Sequence, residues 1–232
     1  MRWLGLIGGL SWESTQIYYR LVNAGVRARL GGLHSAQLVL WSFDFAAIEV
    51  RQQAGDWTGA AAEMAEAGRR LVAAGADGLV ICSNTMHRMA GAVEDAAGVP
   101  LLHIADATAD RLLERGARRP ALLATRYTME QDFYRGRLEA RGLDVRVPDA
   151  AGCASVHAVI YEELCRGIVR EESRAAYRAV VAAMAAAGAD SLILGCTEIG
   201  LLIGPEDVAL PVFDTTLIHA EAAVDFLLER CS

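Results

Sequence analysis

The sequence predicts an α/β protein of two pseudo-symmetric domains, each a mainly parallel sheet flanked by helices, with a site in the cleft between them. The chief observation is an internal repeat: "AAGADGLVICSNTMH" at 73–87 and "AAGADSLILGCTEIG" at 186–200 align without a gap, 113 positions apart. Two copies in 232 residues fit two similar halves rather than a solenoid. In each copy a helical pattern ends at a glycine (Gly75, Gly188) and a short apolar run follows, Leu79-Val80-Ile81 or Leu192-Ile193-Leu194, as a parallel strand buried on both faces would require. Both runs stop at polar residues, Ser83-Asn84-Thr85 and Cys196-Thr197-Glu198. Ligands of open α/β sheets sit beyond the carboxyl ends of the strands, so the two clusters are expected to face each other.

Taken in order, "RWLGLIGGL" gives a first strand over 3–7, a glycine turn at Gly8-Gly9 and a helix from about Ser11. A strand, a glycine turn and a helix N-terminus make an anion site or simply a tight packing corner, and Gly9, Leu10 and Ser11 are candidate ligand contacts. Residues 35–45 read as a second strand, and the polar stretch after it, with Arg51, Gln52 and Gln53, as a cover for the cleft. Of these three, Gln52 is retained as a substrate contact. A helix over 58–74 leads into the first repeat copy; a short strand at 101–104 and a helix from about Asp106 follow. The second half repeats this order: "RPALLAT" is a strand, Thr125 and Thr128 occupy the turn, and "FYR" at 133–135 echoes "YYR" at 18–20. Helical stretches at 156–167 and 173–187 precede the second copy, and a strand at 211–213 and a last helix close the chain. That last helix is expected to pack on the first half, giving domains of 1–104 plus 209–232 and of 105–208.

Bulk properties exclude several classes. A net charge of −7 without a lysine or arginine stripe argues against nucleic acid as a partner. No run of about 18 apolar residues is present, and the amino terminus lacks a signal peptide's apolar segment, so a cytoplasmic protein without membrane contact is expected. The five cysteines (Cys82, Cys153, Cys165, Cys196, Cys231) form no C-x-x-C pair, and the five histidines show no metal-ligand spacing, so neither a disulfide framework nor a metal site is indicated. No nucleotide-binding glycine fingerprint occurs.

Two reactive groups facing each other across a cleft suit removal of a proton from one face of a carbon and its return to the other. Cys196, whose thiol is helped by a helix N-terminus just beyond it, qualifies as one such group; Ser83 is too weak an acid to be its equal. Cys82 does not fill the gap, because adjacent residues at a strand end point to opposite sides. Asn84, Thr85, Thr197 and Glu198 offer hydrogen bonds to a carboxylate or ammonium group, or cap the helices they precede. Each histidine alone reads as a packed or surface residue, with His87, one turn past Ser83, the exception to watch.

At these residues the chain resembles the aspartate/glutamate racemase family. "LGLIGGLSWEST", "NTMH", "LLATRYTMEQDFY", "GCTEIG" and "PVFDTTLIHAEAA" stand in family order over nearly the whole length, closest to a broad-specificity, L-aspartate/glutamate-specific enterobacterial branch. The resemblance implies a homodimer, no cofactor, a small amino acid as substrate, and a two-base mechanism between cysteines in "CNT" and "GCT". Cys196 matches the second cysteine, which in the family serves the L-enantiomer. Ser83 stands where the first belongs, so Cys196 is expected to remove the α-proton of an L-amino acid and the Ser83 side to return one, leaving the D-enantiomer a poor substrate. The arginine and lysine with which aspartate racemases hold the side-chain carboxylate are missing from "SFDFAAIE" and "EELCRG", where Cys165 takes the lysine's place. Aspartate, glutamate or homoserine are the expected substrates. An arylmalonate-decarboxylase-like or maleate-isomerase-like enzyme, and an inactive amino-acid-binding relic, are the alternatives.

Overall fold

The computed structural model describes residues 1–229; Cys231 lies outside them. In chain order the elements are β1 (Leu4–Gly8), α1 (Trp12–Leu30), β2 (Leu38–Ser42), α2 (Phe45–Ala54), α3 (Trp57–Ala73), β3 (Gly78–Ile81), α4 (Ala90–Ala97) and α5 (Ile104–Glu114). They continue with β4 (Pro120–Ala124), α6 (Arg126–Glu130), α7 (Asp132–Glu139), α8 (Ala150–Glu162), α9 (Glu171–Ala186), β5 (Ser191–Gly195), β6 (Val212–Asp214) and α10 (Thr215–Leu228). Short 3₁₀ turns at Thr85–Met89, Leu164–Arg166 and Thr197–Leu201 join some of them. The chain divides into two compact units, Met1–His103 with the segment from His219 onward, and Ile104–Ile218.

The first unit holds a parallel sheet of order β2-β1-β3, extended by a single bridge from Leu79 to Leu101. β1 and β3 are buried throughout because helices cover both faces. Successive side chains take opposite sides: Leu4, Leu6, Val80 and Cys82 join Tyr18, Val22 and Val26 of α1 and Ala223, Val224 and Leu227 of α10. Ile7, Leu79 and Ile81 join Ile48, Met64, Leu71 and Val93 on the other face. Cys82 is therefore a core residue, and α10 does pack on the first half.

The second unit has order β4-β5-β6, with a bridge from Ala121 to Arg146 on the far edge of β4. Counting the bridges, both sheets share one order, and each reduces a different outer strand to a single bridged residue. The repeat also repeats its fastenings. Asp77 accepts from the Trp3 amide (2.7 Å) and its own amide donates to the Trp3 carbonyl (2.9 Å). Asp190, 113 positions on, accepts from the amides of Arg118 and Arg119 (2.8 Å each) and donates to the Arg119 carbonyl (3.0 Å). Gly75 and Gly188, both with φ near +100° (103° and 94°), turn the chain into these positions.

Several expectations are corrected. The second strand is shorter than 35–45, because Asp44 caps α2 by accepting from the Ala46 amide (3.2 Å). The polar stretch after it is thus a regular helix. The strand at 101–104 shrinks to the Leu101 bridge, since α5 already starts at Ile104. α8 starts at Ala150, six residues before the predicted 156, where Asp149 accepts from the Gly152 amide (2.8 Å). The strand near the C-terminus, placed with the first domain by the sequence reading, pairs with β5 and so belongs to the second unit. The return to the first unit falls at His219 rather than at 209, inside α10.

Candidate active site

In the first unit, β1 runs into Gly8-Gly9-Leu10-Ser11 and α1. Gly9 has φ +71°, and a Cβ there would strike the Phe43 backbone, so only glycine fits. The Gly9 amide donates to Thr15 Oγ1 (2.8 Å), which donates in turn to the Ser11 carbonyl (3.0 Å). Ser11 accepts from the Ser14 amide (3.3 Å) and bonds Glu13 (3.0 Å). At φ 143° Ser11 is the one non-glycine residue of positive φ among the described residues. Such strain persists only where the surroundings enforce it, and it gathers at functional sites. Leu10 places its side chain in the core.

Of the three residues flagged after β2, the structure separates one from the others. Arg51 is held by Asp56 and Glu63, and Gln53 by Glu49. Gln52 is buried and donates to Met86 Sδ (3.1 Å), which brings it beside the turn that follows β3. There Asn84 and Thr85 are buried, and Ser83 is half-buried at the strand end. The Ser83 hydroxyl accepts from the Met86 amide (3.4 Å), and its carbonyl accepts from His87 Nδ1 (2.7 Å).

In the second unit, Thr125 begins α6 and its Oγ1 lies 3.3 Å from that of Thr128, both buried. Cys196 follows β5, half-buried, and its thiol donates to Glu198 Oε2 (3.0 Å). Thr197 Oγ1 donates to the same oxygen (2.7 Å), and Glu198 is buried. Burial of the sulfur, the Glu198 carboxylate beside it and the nearby Cys165 push the Cys196 thiol well above its usual range. This reverses the expected help from a helix N-terminus: the turn Thr197–Leu201 has five residues, too few to outweigh an adjacent anion. Cys196 rests as a thiol bonded to a carboxylate. Cys82 is displaced upward by burial alone and has no such partner.

Three histidines far apart in sequence meet in the fold. His87, His103 and His219 are all buried, with ring centroids 4.8 Å apart for His87–His103 and 5.3 Å for His87–His219. They come from a turn, a loop and α10, so no spacing rule could have joined them; only the apolar surroundings of each gave a signal. Among the described residues no group of side chains is placed to hold a metal ion, and no helix is long and apolar enough to cross a membrane.

A strand-end thiol bonded to a buried carboxylate can hold and exchange a proton, and it stands in one of two α/β units of the same strand order. The Asp/Glu/hydantoin racemase family model matches residues 7–223, and the chain belongs to that family. A candidate Asp/Glu racemase from Yersinia pestis is similar to it at 53% identity over 99% of this chain and 100% of that one, with a TM-score of 0.93. An aspartate racemase homologue from Pyrococcus horikoshii OT3 is 33% identical over 99% and 100% of the two chains (TM-score 0.86). An aspartate racemase from Picrophilus torridus, 21% identical over 99% and 96%, shares the fold (TM-score 0.79). The protein is an amino-acid racemase, an isomerase.

Proposed function

We propose that the enzyme inverts a small α-amino acid without a cofactor, with Cys196 removing the α-proton of the L-enantiomer and the Ser83 side returning a proton to the opposite face. The observation that carries this is the 3.0 Å contact from the Cys196 thiol to Glu198. A resting thiol is no base, but the ammonium group of an incoming amino acid favours the thiolate, and Glu198 is positioned to accept the proton that leaves. The thiolate then takes the α-proton. The hydroxyl of Ser83, or a water bonded to it, supplies the proton that completes inversion. The extra proton on the Cys196–Glu198 pair and the deficit at Ser83 are restored through solvent, so the balance closes.

Ser11, Gln52, Asn84, Thr85, Thr125, Thr128 and Thr197 supply the hydrogen bonds to the substrate's carboxylate and ammonium groups, with the Gly9 and Leu10 backbone beside them. The side chain is that of aspartate, glutamate or homoserine. The enzyme works as a homodimer in the cytoplasm. Enantiomers have equal free energy in water, so kcat/KM must be the same in both directions. Poor turnover of the D-enantiomer therefore shows as a low kcat matched by a low KM.

The test is α-hydrogen exchange in D₂O, followed by proton NMR on separate L- and D-samples with no cofactor added. Loss of the α-proton from an L-sample, faster at saturation than from its D-partner and absent in Cys196→Ala, supports the reading. Exchange that survives Cys196→Ala removes Cys196 from the mechanism.

A further inference from the structure

We infer that His87 is the positioning residue of the Ser83 half-site: its imidazole holds the Ser83 peptide so that the hydroxyl is aimed at the reacting carbon. The inference rests on the racemase reading above and adds a group to which that reading gives no part.

The Ser83 backbone sets which nitrogen of His87 donates to it, and the Leu102 backbone lies within reach of the same ring. A carbonyl oxygen only accepts, so the 2.7 Å contact to the Ser83 carbonyl puts the hydrogen of His87 on Nδ1. The ring packs against those of His103 and His219, inclined at 61° and 64° to it. His219 is itself locked: its Nε2 donates to the Leu102 carbonyl (2.7 Å), which leaves Nδ1 to accept from the Tyr18 hydroxyl (2.8 Å). Three imidazoles, 2%, 8% and 0% exposed, thus tie the turn after Ser83 to α1, to α10 and to the segment beside β3.

The other unit supplies the control. The residue matching His87 across the repeat is Gly200, and the turn Thr197–Leu201 forms without any imidazole. The fold of the turn does not demand histidine, and burying polar rings there is costly unless their bonds are used. What differs between the two turns is the group they present. Cys196 has a carboxylate partner to adjust its proton affinity. A serine hydroxyl has no such latitude, and placement is what remains to make it effective.

The experiment compares wild type, His87→Asn and His87→Leu in the full-length protein, measuring L-α-proton exchange in D₂O and inversion on the same samples. Asparagine can place an N–H near the Nδ1 position; leucine fills the space without one. His87→Leu is expected to lower kcat for inversion by about 100-fold, the scale of a misplaced reacting group, with KM little changed and exchange at Cys196 falling far less. His87→Asn should restore most of the loss. Equal losses of exchange and inversion in His87→Leu, or undiminished inversion, would overturn the inference. Wild type that neither exchanges nor inverts any amino acid would remove the racemase reading, and this inference with it. Nitrogen and carbon NMR of labelled histidine in wild type needs no variant to fold: His87 must show the Nδ1–H tautomer and His219 the Nε2–H tautomer. An imidazolium or the opposite tautomer at His87 overturns the inference.

Discussion

The two repeat copies end in the same turn and in opposite chemistry. After β5 stand a thiol, a hydroxyl and a buried carboxylate that binds both; after β3 stand a hydroxyl, an amide and a hydroxyl, backed by buried imidazoles. Glu198 has Thr85 as its counterpart, and His87 has Gly200. On the proposed mechanism one end alters its proton affinity when charge arrives, and the other is only held in place. The two halves share their strand order and their aspartate fastenings and differ in the side chains at the strand ends.

The sharpest way to break the contrast is at Glu198. Glu198→Gln keeps a hydrogen-bonding side chain of the same size but removes the charge. The Cys196 thiol should then titrate at lower pH, since the carboxylate is one of the causes holding it up, yet kcat should fall by about 100-fold for want of a proton acceptor. Ultraviolet thiolate absorbance against pH, beside kcat, checks both signs. Unchanged kcat would reduce Glu198 to a local cap.

Making the two ends alike is the converse. Ser83→Cys places a second thiol after β3, and kcat for the D-enantiomer should rise by about 10-fold as the weaker acid–base group is replaced. Whatever the rise, kcat/KM must stay equal for the two enantiomers. Steady-state kinetics on both enantiomers decide it; a fall in kcat for both would mean that Ser83 acts through its hydroxyl geometry and not as a proton carrier.

How far the sequence led differs between the two ends. The repeat at 73–87 and 186–200, the central strands and the places of Ser83 and Cys196 at the strand ends were legible because a buried parallel strand is an apolar run that must stop where its polar residues start. The state of Cys196 was not legible: Glu198, two residues on, was read as a hydrogen-bonding or capping residue rather than as the thiol's partner, and Cys165 comes near only in the fold. The histidine cluster escaped for the same reason, as His87, His103 and His219 meet only in the fold. The outer strand positions at Leu101 and Arg146 were blurred because one bridged residue leaves no periodic signal.

The histidines make acid a probe of the first unit. Burial holds His219 down at about 4 and His87 well below the usual histidine range, with Tyr18, His87 and His103 facing His219 and the Leu102 carbonyl offsetting only part of the cost of a charge. The unfolded chain binds these protons first, so stability is full above about pH 6.5 and is lost as the pH falls toward 4, by about 3 kcal/mol for His219 alone. Denaturant unfolding at a series of pH values should show this slope, and His219→Gln should flatten it. A slope that His219→Gln leaves unaltered would assign the acid lability elsewhere.

The smallest effect expected separates the two aspartate fastenings. Asp77 accepts from the Trp3 amide, whereas Asp190 accepts from two amides and from the Ser191 hydroxyl (2.8 Å). Asparagine keeps one accepting oxygen at either place. It should therefore replace Asp77 with little change in stability. At Asp190 a single carboxylate oxygen receives both amides, so the loss there is of charge assistance to two bonds rather than of the bonds themselves, on the order of 1 kcal/mol. Both aspartates are exposed, so water and salt weaken the effect, and raising the ionic strength should narrow the difference between Asp190→Asn and wild type. Equal effects at the two positions would mean that the second unit uses no more of its fastening than the first, and that the extra bonds at Asp190 follow from the fold without holding it.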